Sequence, residues 1–317
     1  MKETVIVSGA AGFLGSHLAE RLVAEGNRVI GIDNFSSGRR ENLEGLRRSP
    51  DFTLIRGDLV QPISLPRART IYHLASPASP PRYLKIPVAT LEVNAFGTAQ
   101  LLAHARRCRA RFVLASTSEV YGDPEVHPQP ETYWGHVNPT GVRSCYDEGK
   151  RFAEALTMAW HRERGVDTRI ARIFNTYGPR MAPDDGRVVS NFLVAGWKGE
   201  PLRIYGTGKQ TRSFCYVDDL IAGLVLLARA DTVEGPVNLG NPLEEIPMET
   251  LAEKVLELTG GRSTIVYDAK AEDDPERRRP DISKAKELLG WAPRIRLEHG
   301  LATTAEYFRK LVAGGKA

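Results

Sequence analysis

Short runs of β-branched and apolar residues alternate with longer stretches whose apolar positions recur every three or four residues through the first half of the chain. The runs TVIVS (4–8), RVIGI (28–32), FTLIR (52–56), TIYHLA (70–75), RFVLAS (111–116) and DTRIAR (167–172) predict strands. Between them, Leu14 to Ala24, Val88 to Ala105 and Tyr146 to Arg164 predict amphipathic helices. Strands separated by helices pair in parallel, so the pattern predicts a Rossmann-like, doubly wound α/β sheet with helices on both faces. After Arg172 the elements shorten between Gly and Pro residues. A helix is expected at Ser190 to Lys198, strands within PLRIYG and PVNLG, and a C-terminal helix near His299 to Leu311. This change of texture predicts one domain over residues 1–173 and a smaller α/β substrate lobe over 174–317, with parts of the chain free to cross between them.

Composition narrows the function classes. The 317 residues are 42% hydrophobic, enough for a sizeable core, and 43 basic against 39 acidic residues leave a net charge of only +4. Charges of both signs are mixed along the chain, so a nucleic-acid partner is not expected. The one dense basic cluster, Arg277, Arg278 and Arg279, follows Glu272, Asp273 and Asp274, which suggests a local anion site rather than a polyanion track. Cys108, Cys145 and Cys215 share no metal-ligand spacing and fit free thiols in a reducing compartment. No metal is expected. The longest apolar run, Leu220 to Ala228, falls far short of the roughly 20 residues a membrane span needs. With the first strand at Thr4, the expectation is a cytoplasmic protein without signal peptide or anchor.

The segment SGAAGFLGSHL places Gly9, Gly12 and Gly15 in a GxxGxxG pattern between the first strand and the first helix. Two glycines let the backbone turn and approach a pyrophosphate, the third permits close packing, and the helix N-terminus favours the anion. Asp33, ending the second strand, is placed to accept the adenosine ribose hydroxyls and to repel a 2′-phosphate, which favours NAD over NADP. Arg39 and Arg40 would compensate a phosphate if their loop folded back. Asp58 is either a neighbour of the adenine amino group or an ordinary strand-ending turn acid.

Tyr146 and Lys150 stand four residues apart in YDEGK and so share one helix face. An ammonium beside a phenol favours phenolate, and a positively charged nicotinamide adds to the effect, so Tyr146 is expected to work as a base near neutrality. Thr117, Ser118 and Glu119 follow the fifth strand, where open α/β sheets bind ligands. Thr117 or Ser118 is a candidate to hold the substrate hydroxyl that Tyr146 deprotonates. Glu119 in a cleft is costly unless paired or used, and a salt bridge is the plain alternative.

The blocks HLASPASPPRY, STSEVYGDPEVHPQ, YWGHVNP, CYDEGKR, RIFNTYGPRM, DGRVVSNF and DDPERRRPDI resemble the UDP-glucuronic acid decarboxylases, or UDP-xylose synthases, over about Thr4 to Arg309. The resemblance implies a UDP-sugar substrate, oxidation at ring carbon 4 by tightly bound NAD, loss of carbon dioxide, and re-reduction to UDP-xylose. It implies Tyr146 as base, Lys150 as its partner on the nicotinamide ribose, Thr117 orienting the hydroxyl, Glu119 near the ring with a part in carbon-5 proton handling, and Arg278 facing the sugar acid or diphosphate. One sequence does not decide which of the three adjacent arginines points inward. Cofactor contacts are expected from Gly9, Ala11, Gly12, Phe13, Leu14 and Gly15; from Asp33, Asn34, Ser37 and Gly38; from Asp58 and Leu59; and from Leu74, Ala75 and Ser76. Substrate contacts are expected from Pro77, Asn175, Arg187, Asn191, Tyr205 and Arg212, with Tyr205 near the uracil. The resemblance also implies a homodimer in which Thr90 to Ala105 and Tyr146 to Trp160 of each subunit form a four-helix interface.

Within the same superfamily, a UDP-sugar 4-epimerase shares the glycines and the Tyr–Lys pair but needs no acid at Glu119. A 4,6-dehydratase carries an Asp–Glu pair where this chain has Ser118 and Glu119. A decarboxylase that releases the 4-keto pentose, or one that rearranges the ring toward apiose, fits the same motifs. An NAD-binding sensor without turnover would be expected to have lost Tyr146 or Lys150, and both are present.

Overall fold

The computed structural model describes residues 2–269 and 275–315; Glu272, Asp273 and Asp274 lie outside the described residues. Seven strands form one parallel sheet: β1 (Thr4–Ser8), β2 (Arg28–Asp33), β3 (Phe52–Arg56), β4 (Thr70–His73), β5 (Arg111–Thr117), β6 (Thr168–Ile173) and the strand Pro236–Leu239. Their spatial order is Pro236–Leu239, β6, β5, β4, β1, β2, β3, so the winding reverses between β1 and β4. That reversal opens a crevice at the C-terminal ends of the strands, where the glycine turn and the end of β5 both lie.

Alternation along the strands explains why both faces are covered. Val5 and Val7 of β1 point into one core while Ile6 points into the other, and Val113 of β5 is opposed in the same way by Phe112 and Leu114. Helix α1 (Phe13–Ala24) and the helix Val217–Arg229 cover the first face. The helices Thr98–Cys108 and Ser144–Arg164 cover the second. The expected helix over 88–105 spans Pro87 to Cys108, with a π-helical turn at Val93–Gly97 inside it.

The C-terminal elements are not a separate body. The strand Pro236–Leu239, well inside the 174–317 segment, pairs with β6 and completes the large sheet. Leu202, Ile204, Leu251 and Phe308 from the smaller elements join the same apolar cluster as Val5, Leu18 and Val29. The helix Val188–Lys198, the paired strands Leu202–Tyr205 and Ile265–Asp268, and the helix Leu297–Ala313 form a lobe over the crevice. Among the described residues no helix is long and apolar enough to cross a membrane.

Candidate active site

A cavity of ≈ 590 Å³ runs from the glycine turn to the lobe, within the usual range for a bound small molecule. Its floor begins at Gly9, whose φ of +71° puts the backbone in the left-handed region. A Cβ there would lie 2.9 Å from the Ala75 amide nitrogen, so the turn and the end of β4 are in backbone contact. Gly12 is the N-cap of α1 and makes no side-chain cap, leaving the first helical N–H groups aimed at the cavity edge. This bare helix start beside a glycine cradle fits the pyrophosphate of NAD.

Asp33 is buried at the end of β2 and takes one N–H on each oxygen, from Ala11 to Oδ2 and from Phe35 to Oδ1, both at 2.8 Å. Burial raises its carboxyl above the usual range, and those two donors pull it back. Each oxygen keeps a lone pair for a ribose hydroxyl. The following loop does fold back: the Arg39 N–H donates to the Ala11 carbonyl at 2.9 Å, and Ser37 and Arg39 line the cavity while Gly38 packs against Asp33. Arg40 instead lies over the Phe35 ring, 5.0 Å from its centroid. Phe13, Leu14, Gly15, Leu74 and Ser76 line the cavity. Ala11, Asp33, Asn34, Gly38, Asp58, Leu59, Ala75 and Pro77 do not. Asp58 accepts from Asn34 Nδ2 at 2.9 Å and from the Val60 N–H at 3.1 Å, as a turn acid does, and Leu59 is core beneath Gly97.

At the other end of the crevice Tyr146 and Lys150 are both buried on one face of the helix Ser144–Arg164. The Thr117 hydroxyl faces the Tyr146 phenol and favours its ionised form, while its Oγ1 accepts the Glu119 N–H at 3.2 Å. Lys150 Nζ donates to the Ala115 carbonyl at 2.9 Å and stands 5.9 Å from the Tyr146 ring centroid. The expectation for Tyr146 rests on Lys150 together with a positively charged nicotinamide, and the protein's own groups by themselves work against ionisation. Burial pushes the phenol above its ordinary value, and the Glu119 and Asp147 carboxylates add to the shift, outweighing Thr117 and Arg187. Burial also pulls Lys150 down to about 8, although Glu154 supports its charge.

Glu119 is paired. Arg143 Nη2 reaches its Oε2 at 2.5 Å and Arg278 Nη1 binds its Oε1. Burial alone would raise this carboxyl, but Arg143, Arg278 and Arg212 together hold it at about 2. Of the three adjacent arginines it is therefore Arg278 that enters the site, placed by the pairing of Arg277–Arg278 with Thr211–Ser213, where it lies beside Arg212. Arg279 turns to Glu245 at 3.6 Å.

Asn175, Arg187, Asn191, half-exposed Tyr205 and Arg212 all line the lobe side of the cavity. Arg187 is held by Asp185 and lies 5.6 Å from the Phe13 ring centroid, and Asn191 Nδ2 donates to the Gly186 carbonyl at 3.0 Å. Two site residues escaped the sequence reading. Tyr83 stacks on Tyr146 with centroids 5.0 Å apart and planes at 1°, and Arg143 clamps Glu119. Tyr83 closes the quoted block HLASPASPPRY, but nothing in its spacing points to Tyr146. Arg143 lies three residues before Tyr146, at the N-cap of its helix, the sole local hint.

A family model described as GDP-mannose 4,6 dehydratase matches residues 6–304. The chain is 56% identical over 310 residues to UDP-glucuronic acid decarboxylase 4 of Arabidopsis thaliana, covering 98% of this chain and 69% of that protein. It is 52% identical over 309 residues to UDP-glucuronic acid decarboxylase 1 of Xenopus tropicalis, covering 98% and 73%. Among solved structures it is similar to UDP-glucuronic acid 4-epimerase of Bacillus cereus in complex with UDP-glucuronic acid and NAD, with TM-score 0.88 and 28% identity over 97% of this chain and 99% of that one.

Proposed function

The chain belongs to the UDP-glucuronic acid decarboxylase family, and we infer that it converts UDP-glucuronate to UDP-xylose through a UDP-4-keto intermediate. The observation that carries this reading is the grouping of Glu119, Arg143 and Arg278 beside the Thr117–Tyr146 pair in one cavity. Bound NAD supplies a two-electron acceptor that takes sugar carbon 4 to the ketone and returns the electrons after the carboxylate has left. The ketone lies β to the carboxylate, so the electron pair freed with carbon dioxide delocalises onto the keto oxygen as an enolate.

The protein's own groups manage protons and charge. Thr117 and Tyr146 hold the 4-hydroxyl, Tyr146 accepts its proton and later returns it, and the buried Lys150 ammonium opposes the cost of placing negative charge on the phenol. Arg278 meets the anionic substrate. Glu119, kept a carboxylate by Arg143 and Arg278, stands beside the ring, where it takes part in handling the carbon-5 proton. Gly9, Gly12, Gly15 and Asp33 hold the cofactor; Arg187, Asn191, Tyr205 and Arg212 hold the UDP portion. The dimer expected from the helices is supported by exposed apolar side chains on both, Val88, Leu91 and Phe96 on the first and Phe152 on the second.

The test is to incubate the purified protein with UDP-glucuronate and follow carbon dioxide and the nucleotide sugar by NMR. UDP-xylose with carbon dioxide is the expected result. UDP-galacturonate without carbon dioxide would make the chain an epimerase. A 4-keto pentose would mean that the final reduction is missing. Glu119→Gln is expected to slow turnover about 10²-fold, with reduced cofactor accumulating in single-turnover absorbance traces; unchanged kinetics would leave Glu119 only a salt-bridge partner.

A further inference from the structure

Three successive residues at the end of β5 meet three side chains spaced four apart on the helix Ser144–Arg164. The Ala115 carbonyl receives Lys150, the Ser116 hydroxyl binds Glu154, and Thr117 faces Tyr146. Two of these contacts belong to the Tyr–Lys pair. The third has no part in the chemistry described above, and it is the most heavily tied of the three.

Glu154 is buried, and its carboxylate accepts from Ser116 Oγ at 2.6 Å and from Arg172 Nε at 2.9 Å on one oxygen, and from Arg172 Nη2 at 2.7 Å on the other. Ser116 and Arg172 are register partners on β5 and β6, so one carboxylate bolts the helix to two strands at the edge of the crevice. Arg172 is anchored in turn by the Tyr121 hydroxyl at 3.0 Å and the Glu131 carbonyl at 3.2 Å. A two-pronged arginine–carboxylate bond fixes direction as well as distance.

The charged and titratable groups around Lys150 are few. Its own helix presents Tyr146 and Glu154, and β4 presents His73. Burial keeps the His73 ring neutral, an effect that Lys150 reinforces. Glu154 is the carboxylate that supports the lysine charge.

We propose that Glu154 is a positioning residue for the reaction, fixing the helix against β5 and β6 and keeping a negative charge one turn from Lys150. This rests on the reading of Tyr146 and Lys150 as the reacting pair. It acts through Lys150 and does not itself touch the substrate. With the charge in place, Lys150 keeps more of its ammonium form beside Tyr146 than burial alone would leave; without it, burial favours the neutral amine still further.

The experiment compares wild type, Glu154→Gln and Glu154→Asp as full-length protein loaded with NAD, recording kcat and KM for UDP-glucuronate against pH, together with thermal melting. For Glu154→Gln the alkaline fall in kcat is expected to move down by about one pH unit, with kcat near pH 8 reduced about 10-fold and KM unchanged. Glu154→Asp keeps the charge but cannot span both Ser116 and Arg172, so kcat falls while the alkaline limb stays in place. A lowered melting temperature in both variants with the wild-type kcat and limb would overturn the proposal, leaving Glu154 a scaffold contact. Should Glu154→Gln fail to fold, Glu154→Asp decides, and wild-type kcat there overturns it. A wild-type protein that makes UDP-galacturonate instead sinks the decarboxylase reading alone; the same limb is then read on that product.

Discussion

Tyr146→Phe is expected to lower decarboxylation by about 10²–10⁴-fold while the protein keeps its fold and its NAD, equivalent to about 3 to 5 kcal/mol of lost transition-state stabilisation. The ring contributes to packing and the hydroxyl to chemistry, and the substitution separates the two. Phenylalanine retains the parallel stack on Tyr83 and the buried volume next to Cys145. What it removes is the hydroxyl that faces Thr117. The cost to stability is therefore about one hydrogen bond, on the order of 1 kcal/mol. Single-turnover product analysis, acid release of bound nucleotide and a melting curve together check all three parts. An active Phe variant would mean that another group takes the proton.

Gly15→Ala is expected to strip the protein of NAD. An added Cβ would lie 1.9 Å from the Gly9 carbonyl oxygen and 2.7 Å from its carbon. Cβ is placed by the backbone, so no rotamer relieves the clash and the turn itself must open. Opening it displaces Gly9 from the end of β4 and tilts the start of α1, the two features that suit the pyrophosphate. A loss of at least about 100-fold in NAD affinity follows, about 3 kcal/mol, and the melting temperature falls further because the bound cofactor no longer stabilises the native state. The corresponding contact at Gly12 is 3.1 Å, so Gly12→Ala is expected to be milder. Nucleotide released per chain on denaturation is the measurement. Full occupancy in Gly15→Ala would show that the third glycine is dispensable.

The large sheet was legible because its signals are local. TVIVS and FTLIR match β1 and β3 residue for residue, since β-branched runs bounded by polar turns leave little choice of element. The glycine triad and the Tyr–Lys spacing are local too, each set within one turn and its helix. The strand Pro236–Leu239 was legible as a strand but not as the edge of the large sheet, because a parallel partner is chosen by the whole chain's path.

The sequence by itself therefore determined the doubly wound sheet, the glycine turn, the shared helix face of Tyr146 and Lys150 and, through its longer blocks, the family. The tertiary structure alone decided that Arg278 rather than its neighbours enters the cavity, that Arg143 and Arg278 jointly hold Glu119 as a carboxylate, and that Tyr83 backs Tyr146. It also brought in burial of the Tyr146 phenol, which opposes the ionisation that Lys150 and a bound nicotinamide favour. The physical reason is range. Periodicity and turn chemistry act over a few residues, whereas charge pairing and desolvation depend on which distant segments meet, and here Tyr83, Glu119, Arg143 and Arg278 come from four separate stretches of the chain.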